Sequence, residues 1–437
     1  MRSIYSCAEL TLIAVAGADE SYGLPGVTNS REDCAKWEDV GPYRMVACPQ
    51  APLEQIINSR WITRAWTFQE AFLSRRRLYF TKRAVVYICD DGVRDDLAYI
   101  EGSIEGTQDS RFSLPKPTSN RFQGSWELLQ AYTPRSLSYD ADGLNAVSGA
   151  LVTLRDADPP VYHIWGVPIA DLQRQPDAKG YKVRTSWYLG SGIYFALHWT
   201  HRNPCRRRKG FPTWSPLGWK GGVEFQTSFQ HRASTDCGIK AWQRGDYRDL
   251  STVVADGGFE HSNAPVPQSQ RLQITAKTLT LKIEHVQDWE SKGKLYPPTN
   301  GWCICLPFGK GKDCLVAPIW DDATMNERPR VAPPEEFLCA IIQNVAAKSR
   351  PGPELLWAPL MLILRDCGEY FERVGRLAFW PHHRDCSAFL RDESGTWSIC
   401  TPFPFERGVN SKLPDEWGVK EVAPWLEAAE ERTFLLG

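Results

Sequence analysis

One stretch decides how the first part of this chain folds: Trp61-Ile62-Thr63-Arg64-Ala65-Trp66-Thr67-Phe68-Gln69-Glu70, continued by Leu73-Ser74-Arg75-Arg76-Arg77-Leu78. Its apolar side chains recur at helical spacing, which predicts one amphipathic helix over residues 62–74. The runs 78–81 and 85–89 that follow have the β-branched and aromatic composition of strands. The link between them, Lys82-Arg83, lacks the Gly or Asn of a favoured tight hairpin, so their pairing stays open.

The residues before this stretch predict a strand and a turn. Residues 9–16 are rich in Leu, Ile and Val and stop at Gly17, which predicts a buried strand. Pro25-Gly26 predicts a type II turn, because Pro presets its φ and Gly accepts a positive φ. The first residues also resemble a secretory signal, but Glu9 interrupts them and leaves only a short apolar run.

Farther along the chain, the pattern changes from helical to β-type. A polar connection over residues 90–124 is followed by a predicted helix over 122–132. Another helix begins near Asp140, with Ser138 or Asp140 as its cap. Beyond about residue 160, short β-type runs separated by Gly and Pro dominate. They include residues 272–274, 279–283 and 302–307, and a hairpin formed by 360–365 and 370–379.

The composition fits a globular protein of several domains. The 437 residues are 42% hydrophobic and 24% charged, and the 18 Trp indicate several aromatic cores. A formal net charge of −1 gives no field that would attract nucleic acid or an anionic membrane. The 13 Cys have no repeated spacing, which suits a reducing compartment, the setting of the cytoplasmic location that the family resemblance described below implies. No apolar run is long enough for a membrane span, and no motif indicates a cofactor.

The stretch quoted at the outset resembles the third signature block of the fungal heterokaryon-incompatibility (HET) family. That block has the form W-x-x-R-x-W-T-x-Q-E, followed by L-S-R-R and a strand. The matching residues of this chain are Trp61, Arg64, Trp66, Thr67, Gln69 and Glu70. Residues 4–5 and 8–17 and the Gly23-to-Gly26 segment also resemble what precedes the block. Three later segments resemble parts of the family farther along the chain: Tyr139 to Ala146, Phe211 to Trp219, and Glu372 to Leu377.

This resemblance implies an α+β fold in three parts. Residues 1–90 correspond to the C-terminal part of a HET domain, an incomplete α/β remnant. Residues 91–160 form a helical connecting region, and residues 161–437 a β-rich C-terminal region. The two opening blocks of the family, A-L-S-Y-x-W-G and W-I-D-A-x-C-I-N-Q, do not occur in the sequence. The resemblance therefore implies an N-terminal truncation, through either a gene-model error or decay of the gene, and uncovered sheet edges.

The function that the resemblance implies is fungal non-self recognition, in which a HET domain triggers growth arrest or cell death through assembly. The expected partners are other HET-family or signalling proteins and further copies of this chain. The expected surface is exposed sheet together with the Trp66-to-Glu70 helix. One alternative is an enzyme of Toll/interleukin-receptor-like type that cleaves NAD, with Glu70 as its catalytic carboxylate and Arg64 nearby. Another is an inert or regulatory copy whose residues 160–437 bind intact relatives. Nothing in the sequence establishes an enzymatic activity.

Other chemical signals have plain structural explanations beside the functional ones. His198, His201 and Cys205 would share one face of a helix as metal ligands, but no fourth ligand is evident. His382-His383 with Cys386 is a weaker set of the same kind. Arg206 to Lys209, flanked by Pro204 and Gly210, predicts a solvated loop rather than a phosphate-binding patch. The remaining aromatic pair, Trp214 and Trp219, predicts packing at a seam between domains.

Overall fold

The computed structural model describes residues 2–32, 37–46, 52–90, 92–96, 121–171, 192–201, 205–225, 232–234, 237–257, 270–285, 302–308, 312–316, 319–325, 335–348, 355–378, 388–391, 397–399 and 428–437. The chain divides into two compact units. The first comprises residues 1–117 and 127–158, and the second comprises 118–126 and 159–437. Helices and strands are both abundant, so the predicted α+β class is confirmed.

The first unit combines short helices with two small sheets. Its helices are α1 (Arg2–Ser6), α2 (Pro52–Ile57), α3 (Arg60–Thr63), α4 (Thr67–Leu73), α5 (Arg121–Tyr132, which passes from the second unit to the first) and α6 (Asn145–Arg155). Its strands are β1 (Thr11–Ala14), β2 (Trp37–Val40), β3 (Tyr43–Val46), β4 (Arg76–Phe80), β5 (Val85–Cys89) and β6 (Gly92–Asp95). Single 3-10 turns occupy Glu20–Tyr22 and Asp140–Gly143.

A four-stranded sheet of order β1-β4-β5-β6 organises the first unit. Strand β1 runs parallel to β4, and the other neighbours are antiparallel. On one face, Ile13, Tyr79 and Val86 lie side by side in register. These three side chains pack against Ile56 and Trp61 from the helices and form the core of the unit. The strands predicted at 78–81 and 85–89 therefore exist and pair with each other.

A threonine side chain closes the turn between these two strands. The Thr81 hydroxyl accepts hydrogen bonds from the backbone N–H groups of Arg83 and Ala84, at 3.3 and 3.0 Å. The Thr81 N–H donates to the Ala84 carbonyl at 2.9 Å. The hydroxyl of Thr81 therefore stabilises a turn that contains neither Gly nor Asn, because it accepts hydrogen bonds from the backbone of the turn.

The opposite face of the same sheet carries apolar side chains that stay accessible. Leu12, Leu78 and Tyr87 are adjacent in register across three strands. The side chain of Leu12 is 58% exposed, and Leu78 and Tyr87 are half-buried. The prediction of a buried strand over 9–16 is thus wrong in part: the strand is Thr11–Ala14, and only one of its faces is covered. We call Leu12, Leu78 and Tyr87 the open sheet face.

Two further predictions for the first unit have different outcomes. The turn at Pro25-Gly26 is confirmed: Gly26 has a φ of +84°, and the Val27 N–H donates to the Leu24 carbonyl at 3.0 Å. The predicted cap near Asp140 is wrong, because neither helical start there has a side-chain cap bond. The Tyr132 hydroxyl instead donates to the Gly143 carbonyl at 2.7 Å and ties α5 to the turn before α6. The connection predicted over 90–124 includes strand β6, and its residues 97–120 lie outside the described residues.

The second unit is mostly β-structure. Its helices are α7 (Ile193–Ala196) and α8 (Leu250–Ala255), with 3-10 turns at Pro216–Gly218 and Ala323–Met325. Its strands are β7 (Tyr162–Ile164), β8 (Val167–Ile169), β9 (Thr200–His201), β10 (Arg206–Arg207), β11 (Trp219–Lys220), β12 (Val223–Glu224), β13 (Arg232–Ser234), β14 (Gly238–Gln243), β15 (Asp246–Asp249), β16 (Leu272–His285), β17 (Trp302–Phe308), β18 (Lys312–Val316), β19 (Ile319–Trp320), β20 (Glu336–Lys348), β21 (Leu355–Asp366), β22 (Phe371–Ala378), β23 (Ala388–Arg391), β24 (Trp397–Ile399) and β25 (Glu430–Leu436).

Five of these strands close into a ring in the order β16-β20-β21-β22-β25. The ring closes because β25 pairs antiparallel with β16 on one side and parallel with β22 on the other, where Phe371 faces Leu436. The runs predicted at 272–274 and 279–283 are one continuous strand, since the residues between them pair with β25. The predicted hairpin is confirmed as β21 and β22, with Gly368 at a φ of +87° in its turn.

Among the described residues, no helix combines the length and the apolar character that a membrane crossing requires.

Candidate functional site

The stretch at 61–78 does not form the single helix that its spacing predicts. Helix α3 ends at Thr63 and α4 begins at Thr67, and between them Arg64 is extended, with φ −86° and ψ 136°. Ser136 causes the break: its N–H donates to the Thr63 carbonyl at 2.6 Å, and its carbonyl accepts from the Ala65 N–H at 2.9 Å. Tertiary pairing therefore overrides the local helical preference.

A buried arginine supports this break from the other side. The Arg135 guanidinium lies 3.2 Å from the Thr67 hydroxyl, 3.4 Å from the Arg64 carbonyl and 5.0 Å from the centre of the Phe68 ring. Burial lowers the pKa of Arg135 to about 10, although the nearby ionisable groups Tyr79, Tyr132 and Glu70 oppose the shift. Arg135 thus keeps its charge at neutral pH and holds the start of α4.

Gln69 and Trp66 connect the motif to the segment that begins with the turn at Asp140. The Gln69 side-chain amide donates to the Asn145 carbonyl at 2.8 Å and accepts from the Gly149 N–H at 3.1 Å. The Trp66 indole N–H donates to the Asp142 carboxylate at 3.3 Å. Two residues of the quoted motif therefore bind the helix and turn that the sequence places some 75 residues later.

Glu70 is the half-buried carboxylate of the motif, in the first turn of α4. The Trp61 indole N–H donates to Glu70 Oε2 at 3.1 Å. The charge of this carboxylate also acts on Tyr5: burial raises the pKa of the Tyr5 phenol, and the charge of Glu70 raises it further. The expectation that Arg64 and Glu70 share one helix is wrong, because the extended residue Arg64 precedes α4. Arg76 pairs with Glu9, and Arg77 donates to the Ala71 carbonyl.

This geometry defines what the site can do. A carboxylate with one oxygen held by an indole N–H can stabilise a developing cation or accept a proton through its other oxygen. Tyr5 adds a phenol whose proton is retained at neutral pH. Trp61 is buried in the core and holds Glu70 rather than lining an open ligand pocket. The remaining motif residues serve the framework around this carboxylate.

Sequence reasoning missed several residues of this framework. Arg135 lies in a Thr-Pro-Arg segment with no motif, so no sequence signal points to it. Gly149 gave a signal, because an isolated glycine inside a helical pattern usually has a packing reason. Asp142 lies within the segment Tyr139 to Ala146, whose resemblance to the family singled it out without giving it a role.

Comparison with known proteins agrees with the sequence pattern. Residues 1–70 match the family model described as heterokaryon incompatibility protein (HET). This segment is HET-domain sequence. No curated protein and no solved structure matches the chain.

The HET segment ends at the carboxylate that the geometry singles out, Glu70. It includes Tyr5, the whole of β1 and the motif from Trp61 onward. Residues that follow the segment in the chain hold some of its buried side chains by hydrogen bonds. Arg135 donates to Thr67, and the backbone of α6 donates to Gln69. The HET segment therefore folds together with the rest of the first unit, through residue 158.

The metal-ligand hypothesis for the second unit fails on geometry. Helix α7 ends at Ala196, and His201 lies in strand β9, so His198, His201 and Cys205 do not share a helical face. His201 Nδ1 is instead 3.1 Å from the Gly222 carbonyl. Among the described residues, no three His, Cys, Asp or Glu side chains form a set that could hold a metal ion. His382, His383 and Cys386 lie outside the described residues.

The basic run at 206–209 is not a solvated loop. The Arg207 guanidinium lies 4.9 Å from the centre of the Trp219 ring and donates to the carbonyls of Gly218 and Phe211. Arg208 is buried as well, whereas Lys209 is exposed. Trp219 and Trp214, expected at a seam between domains, are buried inside the second unit. Arg207 and Arg208 therefore belong to the packed part of the second unit, and Arg207 stacks on its aromatic core.

Proposed function

We propose that this chain is a cytoplasmic signalling protein of fungal non-self recognition. Its HET segment would trigger growth arrest or cell death when an incompatible partner is sensed. The observation that carries the proposal is the HET-family match over residues 1–70. The ordered contacts of Trp66 and Gln69 with the residues after the segment support it, because they keep the motif in a folded unit.

Assembly of several copies through the open sheet face is the mechanism that we favour. Strand β1 lies at one end of its sheet, and Leu12 within this strand is largely exposed. An apolar sheet edge of this kind is a template for pairing with another chain. The Trp66-to-Glu70 helix suits this role less well than the sequence implied, because Thr67, Phe68 and Gln69 are buried within the unit.

Sedimentation velocity of the purified full chain tests the assembly step. We expect concentration-dependent self-association in the wild type and its loss in Leu12→Lys, because a lysine cannot be covered by an apolar neighbour. Val40→Lys is the matched control, since Val40 is 52% exposed on β2, away from the open sheet face. Equal self-association of wild type and Leu12→Lys would reject this surface.

Induced expression of the full chain in a filamentous fungus tests the cell-death function. We expect growth arrest with the wild type and none with Trp66→Ala, which removes the indole that binds Asp142. Protein level must be matched by immunoblot, so that loss of effect is not loss of protein. A wild-type chain that accumulates without any effect, yet binds an intact relative, would favour a regulatory copy instead.

Cleavage of NAD is a second candidate function, favoured by the half-buried carboxylate of Glu70 with one oxygen held by Trp61. It predicts release of nicotinamide from NAD by the purified full chain. Glu70→Gln keeps an oxygen for the Trp61 indole but removes the charge, so it should abolish release while the protein stays folded. Release that persists in Glu70→Gln would exclude Glu70 as the catalytic group.

A further inference from the structure

Two arginines of strand β22 hold the backbone of residues 197–199 in the second unit. Arg373 donates to the Leu197 carbonyl at 3.0 Å and to the Trp199 carbonyl at 2.5 Å. Arg376 donates to the intervening carbonyl, that of His198, at 2.9 Å. The Arg373 guanidinium also lies 3.7 Å from the centre of the Trp199 ring. We call Arg373 and Arg376 with these three carbonyls the arginine clamp.

The charges at the clamp are buried. Arg373 and Asp321 form an ion pair at 3.0 Å in which both side chains are fully buried. Arg376 adds a second buried cation. The Asp321 carboxylate makes the ion pair with Arg373 through its Oδ2 atom. Both guanidinium groups thus hold the backbone of the segment that carries His198, and their charges disfavour a further cation there.

Two imidazoles lie within this group of charges. Each of His198 and His201 is buried, and its Nε2 atom makes no hydrogen bond to the described residues. The His201 ring packs edge-on against Trp199 and Trp219, with ring centres 5.2 and 5.8 Å apart. Its other nitrogen faces the Gly222 carbonyl. Neither Nε2 atom therefore has an acceptor for a proton among the described residues.

Burial and charge both favour the neutral imidazoles. Burial lowers the pKa of His198 well below 6.5, and the charges of Arg376 and Arg373 lower it further. For His201, burial lowers the pKa most and Arg373 adds to the shift. The Asp321 carboxylate and the Gly222 carbonyl oppose it. The Cys205 thiol beside them has its pKa raised to about 11, by burial first and the Asp321 charge next, so it stays neutral.

We propose that His198 and His201 make the arginine clamp acid-labile, so that protonation of either ring releases the segment 197–201. The released segment would free its carbonyls from Arg373 and Arg376 and expose Trp199, which is fully buried when the clamp is closed. The proposal rests on the second unit alone and is independent of the HET segment.

The direction of the pH effect follows from proton binding. An imidazole in the released segment has a pKa of about 6.5, whereas in the clamp it stays neutral to lower pH. Below about pH 6.5 the released state therefore binds more protons, and the clamp loses stability as pH falls. Because the released imidazoles take up protons only below about pH 6.5, each histidine favours release by up to about tenfold between pH 7.5 and 5.5. The two together therefore give up to about 100-fold.

Hydrogen–deuterium exchange of the full chain measures this release directly. Exchange rates of peptides covering 197–201, corrected for intrinsic exchange at each pH, should rise as pH falls from 7.5 to 5.5. The double variant His198→Asn/His201→Asn should lose this dependence. His163→Asn is the matched control, because His163 is buried in the same unit away from the clamp and accepts from Gly166. A pH dependence in the double variant equal to the wild type would overturn the proposal.

A measurement on the wild type avoids reliance on the folding of a variant. The chain has only eight histidines, so their ring proton resonances can be followed by NMR. Two of them should have a pKa below the ordinary value while the protein is folded, and should titrate in the ordinary range only as the 197–201 segment opens. Titration of all eight near pH 6.5 without opening would overturn the proposal as well.

Discussion

The side chain of Gln69 packs directly against the backbone of Gly149. The Gln69 side-chain oxygen accepts the Gly149 N–H at 3.1 Å, and a β-carbon on Gly149 would overlap that same oxygen. The other end of the amide donates to the Asn145 carbonyl, one turn earlier on α6. A glutamine of the HET motif is thus explained by the helix it binds, and this pairing gives the first prediction.

Gly149→Ala should destabilise the first unit, against the usual trend for helices. Alanine in a helix interior normally gains about 1 kcal/mol over glycine. Here the methyl group displaces Gln69 and costs its two hydrogen bonds, so we expect a net loss of about 1–3 kcal/mol. Urea denaturation of the full chain, followed by a signal from the first unit, measures the change in the free energy of unfolding. Ser148→Ala on the same helix is the control and should leave the stability of the unit within about 0.5 kcal/mol.

Arg135→Lys should weaken the break between α3 and α4 even though it keeps the charge. Lysine cannot contact the Thr67 hydroxyl, the Arg64 carbonyl and the Phe68 ring together, because its ammonium is compact. We expect a loss of about 2–3 kcal/mol. Arg155→Lys, at an ion pair with Asp156 on the surface, should change stability little. Equal effects of the two substitutions would mean that Arg135 does not hold the break.

The pKa of Tyr5 reports on the charge of Glu70. Because that charge raises the Tyr5 pKa, Glu70→Gln should lower it, while the part of the shift caused by burial remains. Tyrosine ring NMR, with Tyr5→Phe for assignment, measures the change. A Tyr5 pKa that does not move in Glu70→Gln would show that the two side chains do not face each other.

The ion pair of Arg373 and Asp321 should show strong coupling in a double-mutant cycle. Removing one partner leaves a buried charge uncompensated, and such losses are about 3–5 kcal/mol. The losses of Arg373→Met and Asp321→Leu should therefore add up to more than the loss of the double variant. Urea denaturation, followed by a signal from the second unit, gives the free energy of unfolding of the three variants. Additive losses would indicate that the side chains of Arg373 and Asp321 are not energetically coupled.

Much of the local structure was predictable from the sequence. The strands β4 and β5, the helix α5 and the β21–β22 hairpin follow from apolar periodicity and turn residues. The break at Arg64 does not, because Ser136 causes it from 72 positions farther along the chain. The burial of Arg208 and the stacking of Arg207 on Trp219 were also missed, because a basic run flanked by Pro and Gly has the composition of a loop.

The site was predictable in its residues and not in its arrangement. The HET motif supplied Trp61, Gln69 and Glu70, yet their roles depend on contacts that no local pattern encodes. Gln69 binds a backbone far along the chain, and Trp61 binds a residue across the break between two helices. Sequence spacing assumes one continuous helix, so it placed Arg64 beside Glu70 when an extended segment separates them.

The most direct test of the central claim couples cell death to the open sheet face. Wild type, Leu12→Lys and Val40→Lys are expressed at matched levels in a filamentous fungus, and dead hyphal compartments are counted with a vital dye. The account predicts death with the wild type and with Val40→Lys, and survival with Leu12→Lys. Death at the wild-type level with Leu12→Lys, or no death with any of the three, would contradict it.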